Sequence, residues 1–239
     1  MTGVHRIAVV IPARDEEPLV GRCLESVLDA RRLTEARLPG VRVIVVVVAD
    51  SCTDATAAVA RAVEGVTVVE TDAANVGLAR SIGVETAVAL AGGADGLWIA
   101  NTDADSVVPR RWLLEQVRLA RLGTDIVVGT VRPEFADLSP EQVRAWRATH
   151  PRGRANGHVH GANLGLRATA YLAAGGFPHL AEHEDVELVE RCLLAGATST
   201  ATARCEVVTS GRQYGRTPGG YARHLRTELV PATRSPDSP

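Results

Sequence analysis

The sequence predicts an α/β fold with a mostly parallel sheet and helices on both faces. Runs of β-branched residues alternate with segments of helical periodicity over residues 6–101, and this alternation is typical of parallel sheets. The run at 41–49 is almost uniformly apolar, as expected for a central strand that is covered on both faces. Carboxylates follow two of the predicted strands, at Asp50 and Asp103, where such sheets bind ligands.

The first part of the chain is a regular series of predicted strands and helices. Each strand is a short apolar run, and each helix has apolar side chains that repeat at three- and four-residue intervals. Strands are predicted at 6–11, 41–49, 66–70 and 97–100, and helices at 19–28, 55–62 and 77–90.

Beyond residue 105 the elements are shorter and more polar. Apolar periodicity predicts helices at 109–120 and 183–196, a short strand at 126–128 and a helical surface excursion at 137–149. The segment 151–159 lacks periodicity and is predicted to be a loop. Residues 231–239 are rich in proline and serine and are predicted to be a disordered tail. We therefore expect one domain over residues 1–230.

Composition argues against several functional classes. The 239-residue chain has a formal net charge of −2, which disfavours a nucleic-acid groove. All 26 basic residues are arginine, so Schiff-base lysines and lysine-dependent phosphate loops are excluded. The four cysteines lack Cys-x-x-Cys spacing, and no run approaches the about 20 apolar residues of a membrane helix. We expect a reduced, cytoplasmic protein without a transmembrane segment.

Residues 97–105 run from a predicted buried strand directly into two carboxylates. Asp103 and Asp105 are two residues apart at the end of this strand and can therefore meet one hard cation, since such ions take oxygen ligands. The alternative is a solvated turn, because aspartate is common in turns. The pattern becomes specific only through the motifs on either side of it.

Four motifs occur in order between residues 5 and 195. They are Val-Ile-Pro-Ala-Arg-Asp-Glu at 10–16, Val-Ala-Asp-Ser-Cys-Thr-Asp at 48–54, Asn-Thr-Asp-Ala-Asp at 101–105, and Gly-Gly-Phe at 175–177 followed by Glu184 and Asp185. Together they resemble the motifs of family 2 glycosyltransferases, which have the Rossmann-like GT-A fold. Their shared order makes the resemblance more specific than any single motif.

The resemblance implies transfer of a sugar from a nucleotide diphosphate, with a UDP-sugar favoured, to an acceptor hydroxyl with inversion at the anomeric carbon. It places the donor in residues 1–107 and the acceptor, a small molecule or a glycan- or lipid-linked group, in residues 108–230. Asp103 and Asp105 would hold Mg²⁺ or Mn²⁺, with His224 as a candidate further ligand. The donor-binding residues would be Pro12, Ala13, Arg14, Glu16, Asp50, Arg80, Asp103, Ala104, Arg212 and Arg216.

On the acceptor side, the resemblance implies that Asp185 is the general base and that Glu184 positions the acceptor. The other interpretation of this acidic pair is stabilisation of a helix N-terminus. The small residues around Gly161, Ala162 and Asn163 would let a substrate approach the backbone closely.

His158 and His160 have the spacing of a metal pair on a strand. Without a third ligand at a recognisable spacing, a polar strand face or an acceptor contact is favoured over zinc.

Three other functions stay open from the sequence. A retaining GT-A glycosyltransferase would share the fold, and a non-catalytic nucleotide-sugar-binding protein would need Asp50 and Asp105 but no base. A sugar-nucleotidyltransferase would share fold and metal, although that family is expected to have a glycine-rich first loop and a lysine. Assembly as a homodimer also stays open.

Overall fold

The computed structural model of the chain describes residues 3–180, 182–215 and 219–230. The strands are β1 (Arg6–Ala13), β2 (Arg42–Asp50), β3 (Val66–Thr71), β4 (Leu97–Asn101), β5 (Ser106–Val107), β6 (Ile126–Pro133), β7 (Leu164–Arg167) and β8 (Ser199–Thr209). The helices are α1 (Glu17–Arg37), α2 (Thr56–Arg61), α3 (Val76–Ala91), α4 (Trp112–Arg121), α5 (Pro140–Thr149), α6 (Ala168–Ala173), α7 (Glu184–Leu194) and α8 (Tyr221–Arg223), which continues as a π-helix over His224–Glu228.

The eight strands form one sheet in the order β3-β2-β1-β4-β7-β6-β8-β5. The pairs β3–β2, β2–β1, β1–β4 and β6–β8 are parallel, whereas β7 runs antiparallel to β4 and β6, and β5 runs antiparallel to β8. Parallel neighbours need crossover connections, which α1, α2 and α3 supply. The predicted α/β sheet, mostly parallel, is confirmed.

Alternate residues of β1 enter two apolar layers. Ile7, Val9 and Ile11 belong to a layer built with α1, α2 and α4. Ala8 and Val10 belong to the opposite layer, built with α3, α6 and α7. Because successive side chains of a strand point to opposite faces, an apolar run without a polar side requires both layers. Helices therefore cover both faces of the sheet, as predicted.

A third apolar cluster joins the C-terminal helical segment to α5. Trp146 of α5 packs with Leu138, Leu225 and Leu229. A capping box begins α5, because the side chains of Ser139 and of Gln142, three residues later, each accept the backbone N–H of the other. The cluster holds residues 219–230 against the rest of the fold.

Three strands lie where the sequence indicates none. β5, β7 and β8 occupy 106–107, 164–167 and 199–209, and small polar residues interrupt β8 throughout. β8 forms because it pairs with β6, a tertiary cause that periodicity does not show. The predicted tail at 231–239 lies outside the described residues. Within the described ranges, no helix is long and apolar enough to cross a membrane.

Candidate active site

A cavity of about 910 Å³ opens at the carboxyl ends of β1, β2 and β4. Because these strands are parallel neighbours, the residues that follow them meet at one edge of the sheet. The predicted site residues that line this cavity are Pro12, Ala13, Arg14, Glu16, Asp50, Arg80, Asp103, Ala104, Asp105, Gly161, Ala162, Glu184, Asp185, Arg212 and His224. Arg216 lies outside the described residues.

Asp50 ends β2 and holds the loop that forms one wall of the cavity. Its carboxylate accepts the N–H groups of Ala74 at 2.8 Å and Asn75 at 2.9 Å, and Ser51 Oγ donates to it at 3.1 Å. Asn75 in turn caps α3, since its Oδ1 accepts the Leu78 N–H at 2.9 Å. Asp50 is therefore both a cavity residue and the anchor of the loop before α3.

Arg80 of α3 joins carboxylates from the two halves of the chain, and we name Arg80, Asp103 and Glu184 the Arg80 cluster. Arg80 Nη2 lies 2.5 Å from Asp103 Oδ1, and Nε lies 3.1 Å from Glu184 Oε1. Burial raises the pKa of Glu184, and the charge of Arg80 opposes that rise. Two guanidinium nitrogens are thus committed to protein carboxylates, which differs from the predicted contact of Arg80 with the donor.

A second arginine bridges two carboxylates at the predicted metal motif, and we name Arg212, Glu16 and Asp105 the Arg212 cluster. Arg212 Nη2 lies 2.7 Å from Glu16 Oε1 and 2.9 Å from Asp105 Oδ2. Thr209 Oγ1 donates to the other oxygen of Asp105 at 3.1 Å. Burial raises the pKa of Asp105 to about 6, with help from the Asp103 charge, while Arg212 opposes the rise.

The Arg212 cluster has the chemistry of a cation site. Oxygens of two largely buried carboxylates, Glu16 and Asp105, converge on one cationic nitrogen. Mg²⁺ and Mn²⁺ take carboxylate oxygens, and a buried carboxylate gains from a positive partner. The residues present therefore fit a divalent cation.

His224 does not complete this group. Its Nδ1 pairs with Glu228 Oε2 at 3.1 Å, four residues later. Among the residues that the structure describes, the ligand atoms of Asp103, Asp105 and His224 do not all lie within 4.8 Å of one another. The structure thus does not bring the ligand atoms of the three predicted metal ligands within this distance of one another.

Metal-ligand spacing does occur elsewhere in the described residues, at Asp15, Cys52 and Asp54. Asp15 Oδ1 accepts the Thr53 N–H at 2.6 Å, and Asp54 Oδ1 accepts the Thr56 N–H at 2.9 Å. These bonds hold the loops after β1 and β2, which accounts for the acidic residues there.

Asp185 lines the cavity from the first turn of α7. Its Oδ2 accepts the Gly161 N–H at 2.6 Å, and its Oδ1 accepts the Val186 N–H at 2.8 Å. A side chain at 161 has no room, because a Cβ there would lie 2.3 Å from Arg80 Nη2. Gly161 therefore allows Arg80 to approach and also supplies a backbone donor to Asp185.

Asn163 does not take the predicted place in the substrate site. Its side chain is fully buried, and Trp112 Nε1 donates to its Oδ1 at 2.8 Å. Its Nδ2 donates to the carbonyls of Thr130 at 2.9 Å and Cys205 at 2.8 Å. The side chain is engaged in joining the strands around it, so the prediction for Asn163 is corrected to a structural role.

Several cavity residues were missed or misplaced by the sequence analysis. His150, Tyr221 and Thr209 line the cavity together with His158 and His160. The last two lie in a segment without strand structure, so the predicted strand face is wrong; the His160 ring is 5.9 Å from that of Tyr221. Burial lowers the pKa of His160. These residues come from a loop and from separate elements, which no local pattern connects.

Solved structures with the same fold include several glycosyltransferases. TarS from S. aureus (residues 1–349, with UDP-GlcNAc) has a TM-score of 0.67 and 16% identity, over 90% of this chain and 61% of that chain. PcManGT from Pyrobaculum calidifontis, a mannosyltransferase with GDP-Man and Mn²⁺, has a TM-score of 0.63 and 21% sequence identity, over 90% of this chain and 61% of that chain. Glucosyl-3-phosphoglycerate synthase from Mycobacterium tuberculosis has a TM-score of 0.55 and 18% sequence identity, over 93% of this chain and 77% of that chain.

These likenesses confirm the predicted GT-A fold, and the chain spans about three fifths of the TarS and PcManGT chains, at 61% of each. A comparison with curated protein sequences gives no match. The sequence profile described as glycosyl transferase family 2 matches residues 8–169, which is more than half of the chain. The chain therefore belongs to glycosyl transferase family 2.

Proposed function

We propose that the chain transfers a sugar from a nucleotide diphosphate, preferably a UDP-sugar, to an acceptor hydroxyl with inversion at the anomeric carbon. One observation carries the proposal: a single cavity is lined by the strand-end residues Asp50, Asp103 and Asp105 and by Asp185 of α7. The nucleotide sugars in the TarS and PcManGT structures support this donor class. We also propose that residues 1–230 form one catalytic unit.

The nucleoside would lie along the ends of β1 and β2. Pro12, Ala13 and Arg14 border the cavity there. A carboxylate has about four acceptor positions, and Asp50 uses three of them on the protein, so one is left for an N–H of a base. Uracil presents such an N–H at N3, so this position fits the proposed UDP-sugar.

The diphosphate would lie beside Arg212 and Asp105. Asp105, together with Asp103, would hold Mg²⁺ or Mn²⁺, and the Mn²⁺ in the PcManGT structure supports this assignment. When bound, such a cation stabilises the negative charge that the departing diphosphate gains. The planar guanidinium of Arg212 suits bidentate contact with phosphate oxygens.

Asp185 would act as the general base. It takes the proton of the acceptor hydroxyl as that oxygen bonds to the anomeric carbon and the bond from this carbon to the diphosphate breaks. The Gly161 N–H orients its carboxylate. Glu184 is engaged with Arg80 and would position the acceptor side.

The test of the base is Asp185→Asn, which keeps the shape of the side chain but cannot accept the proton. Transfer should fall by about 10²–10⁴, and UDP affinity should stay near that of the wild type. Glu187→Gln on the same helix is the matched control, since Glu187 is 46% exposed and pairs with Arg191. If Asp185→Asn turns over within a few-fold of the wild type, Asp185 is not the base and only stabilises the N-terminus of α7.

The test of the metal assignment is Asp105→Asn with UDP binding measured by calorimetry. Affinity in Mn²⁺ should fall, whereas affinity in a chelator should be the same for both proteins, because only the cation-dependent part is removed. Equal Mn²⁺ dependence in the two proteins contradicts the assignment.

Two outcomes would favour the alternative functions. Donor binding without hydrolysis or transfer to any acceptor would favour a non-catalytic nucleotide-sugar-binding protein. Retention of configuration at the anomeric carbon of the product would exclude the inverting mechanism.

A further inference from the structure

We infer that Arg80 is a positioning residue. It fixes the position of the Asp103 carboxylate, in the predicted metal motif, relative to the first turn of α7. The inference rests on the proposed function, because it assigns Arg80 a part in that reaction without contact to the donor. It replaces the donor contact that the sequence suggested for this side chain.

The contacts of Arg80 tie together three separate elements. Arg80 lies on α3, Asp103 follows β4, and Glu184 begins α7. The guanidinium reaches Asp103 through Nη2 at 2.5 Å and Glu184 through Nε at 3.1 Å, and the side chain is 3% exposed. A planar guanidinium holds two carboxylates in a fixed relative geometry, which a lysine ammonium does not. The distance between the metal motif and α7 therefore depends on this one side chain.

Stability alone does not explain a buried arginine at this position. Its third nitrogen, Nη1, is buried and has no hydrogen-bond partner among the described residues. The ring of Phe177 lies 5.9 Å from Cζ and covers the group without a hydrogen bond. Replacing a buried ion-pair group by apolar side chains is often neutral or stabilising, so we attribute the buried charges here to a geometric requirement rather than to stability.

Gly161 connects Arg80 to the proposed base. A Cβ at 161 would lie 2.3 Å from Nη2 and 2.7 Å from Cζ of Arg80, while the Gly161 N–H donates to Asp185 Oδ2 at 2.6 Å. One residue thus touches the guanidinium and holds the base carboxylate. We therefore expect a shift of Arg80 to displace Gly161 and Glu184, which adjoin Asp185 in space and in sequence respectively. A displacement of about 1 Å at a reacting group can cost about 10²-fold in rate.

The sharpest variant is Gly161→Ala, which adds one methyl group against the guanidinium and removes no charge. Turnover at saturating donor and acceptor should fall by about tenfold or more, while UDP affinity measured in a chelator stays within about threefold of the wild type. Gly21→Ala is the matched control, because its Cβ would meet nothing nearer than Val59 Cγ1 at 3.9 Å. A parallel loss of UDP affinity in the chelator would instead make Arg80 a donor contact and overturn the inference.

Arg80→Lys keeps the charge but loses the planar, two-armed guanidinium, so it should show the same loss of turnover with UDP binding in a chelator retained. In the double variant with Gly161→Ala, the added methyl group no longer meets Nη2, so the combined loss should be smaller than the product of the single losses. Independent, multiplicative losses, or full turnover of Arg80→Lys, would overturn the inference.

Hydrogen exchange separates this inference from the proposed function. In Arg80→Lys, the amides of residues 185–188 should exchange faster than in the wild type, because Glu184 loses its anchor, whereas those of α4 should not change. Unchanged protection at 185–188 overturns the positioning role even if transfer is observed. A wild-type protein that shows no transfer to any acceptor overturns the proposed function, and with it the catalytic part of this inference.

Discussion

The Arg80 and Arg212 clusters use the same interaction in two different settings. In each, one guanidinium joins two carboxylates beside the cavity. Arg80 belongs to α3 and its side chain is 3% exposed, whereas Arg212 follows β8 in a segment without regular structure and is 33% exposed. The two arginines therefore differ in how easily water or another cation can take their place.

This difference in exposure makes the contacts of Arg80 fixed and those of Arg212 exchangeable. Removing a buried partner leaves an uncompensated charge away from water, and that cost keeps the Arg80 cluster in one arrangement. Both clusters line the cavity, but of the two arginines only Arg212 is substantially exposed, so water or a cation can take its place beside Glu16 and Asp105. We therefore expect Arg80 to serve geometry and Arg212 to serve ligand binding, and three substitutions test this comparison.

The largest effect is expected for Arg80→Met. It leaves the buried carboxylate of Glu184 without its counter-charge, and the free energy of unfolding should fall by about 3–5 kcal/mol. Equilibrium urea unfolding measures this loss. A loss below about 1 kcal/mol would show that the buried cluster is as replaceable as an exposed ion pair.

A smaller effect on stability is expected for Arg212→Ala. The free energy of unfolding should fall by about 1–3 kcal/mol, because Arg212 is 33% exposed and its removal opens a path for water to the two carboxylates. UDP affinity in Mn²⁺ should fall about tenfold, since a charged hydrogen bond to a phosphate is lost. Urea unfolding and calorimetry on the same samples measure both quantities. A stability loss as large as that of Arg80→Met would remove the distinction between the clusters.

The smallest effect is expected for Arg118→Ala on α4, which provides the baseline. Arg118 pairs with Glu115 at 2.7 Å three residues earlier, and its side chain is 43% exposed. Such helical surface pairs contribute about 0.2–0.5 kcal/mol, and salt weakens them. Unfolding at low and at high ionic strength measures this contribution. A loss of several kcal/mol of unfolding free energy that does not depend on salt would show that exposed and buried ion pairs contribute equally to stability.

Local sequence predicted residues 1–107 well. The almost uniformly apolar β2 can form only as a covered central strand, and the polar residue that ends it must lie at the sheet edge. Asp50 and Asp105 therefore reach the cavity as expected. The strand β8 was missed, because its small and polar residues become a strand only by pairing with β6.

The sequence by itself determined the fold class and the carboxylates at the strand ends, because periodicity and strand termination are local properties of the chain. Only the tertiary structure decided how the charges are paired. Arg80 and Glu184 meet across the fold. The side chain of Asn163 donates hydrogen bonds to buried backbone carbonyls, and His224 pairs with Glu228 in its own helical segment. Ion pairing depends on distance and burial between residues far apart in the chain, and no local pattern contains either quantity.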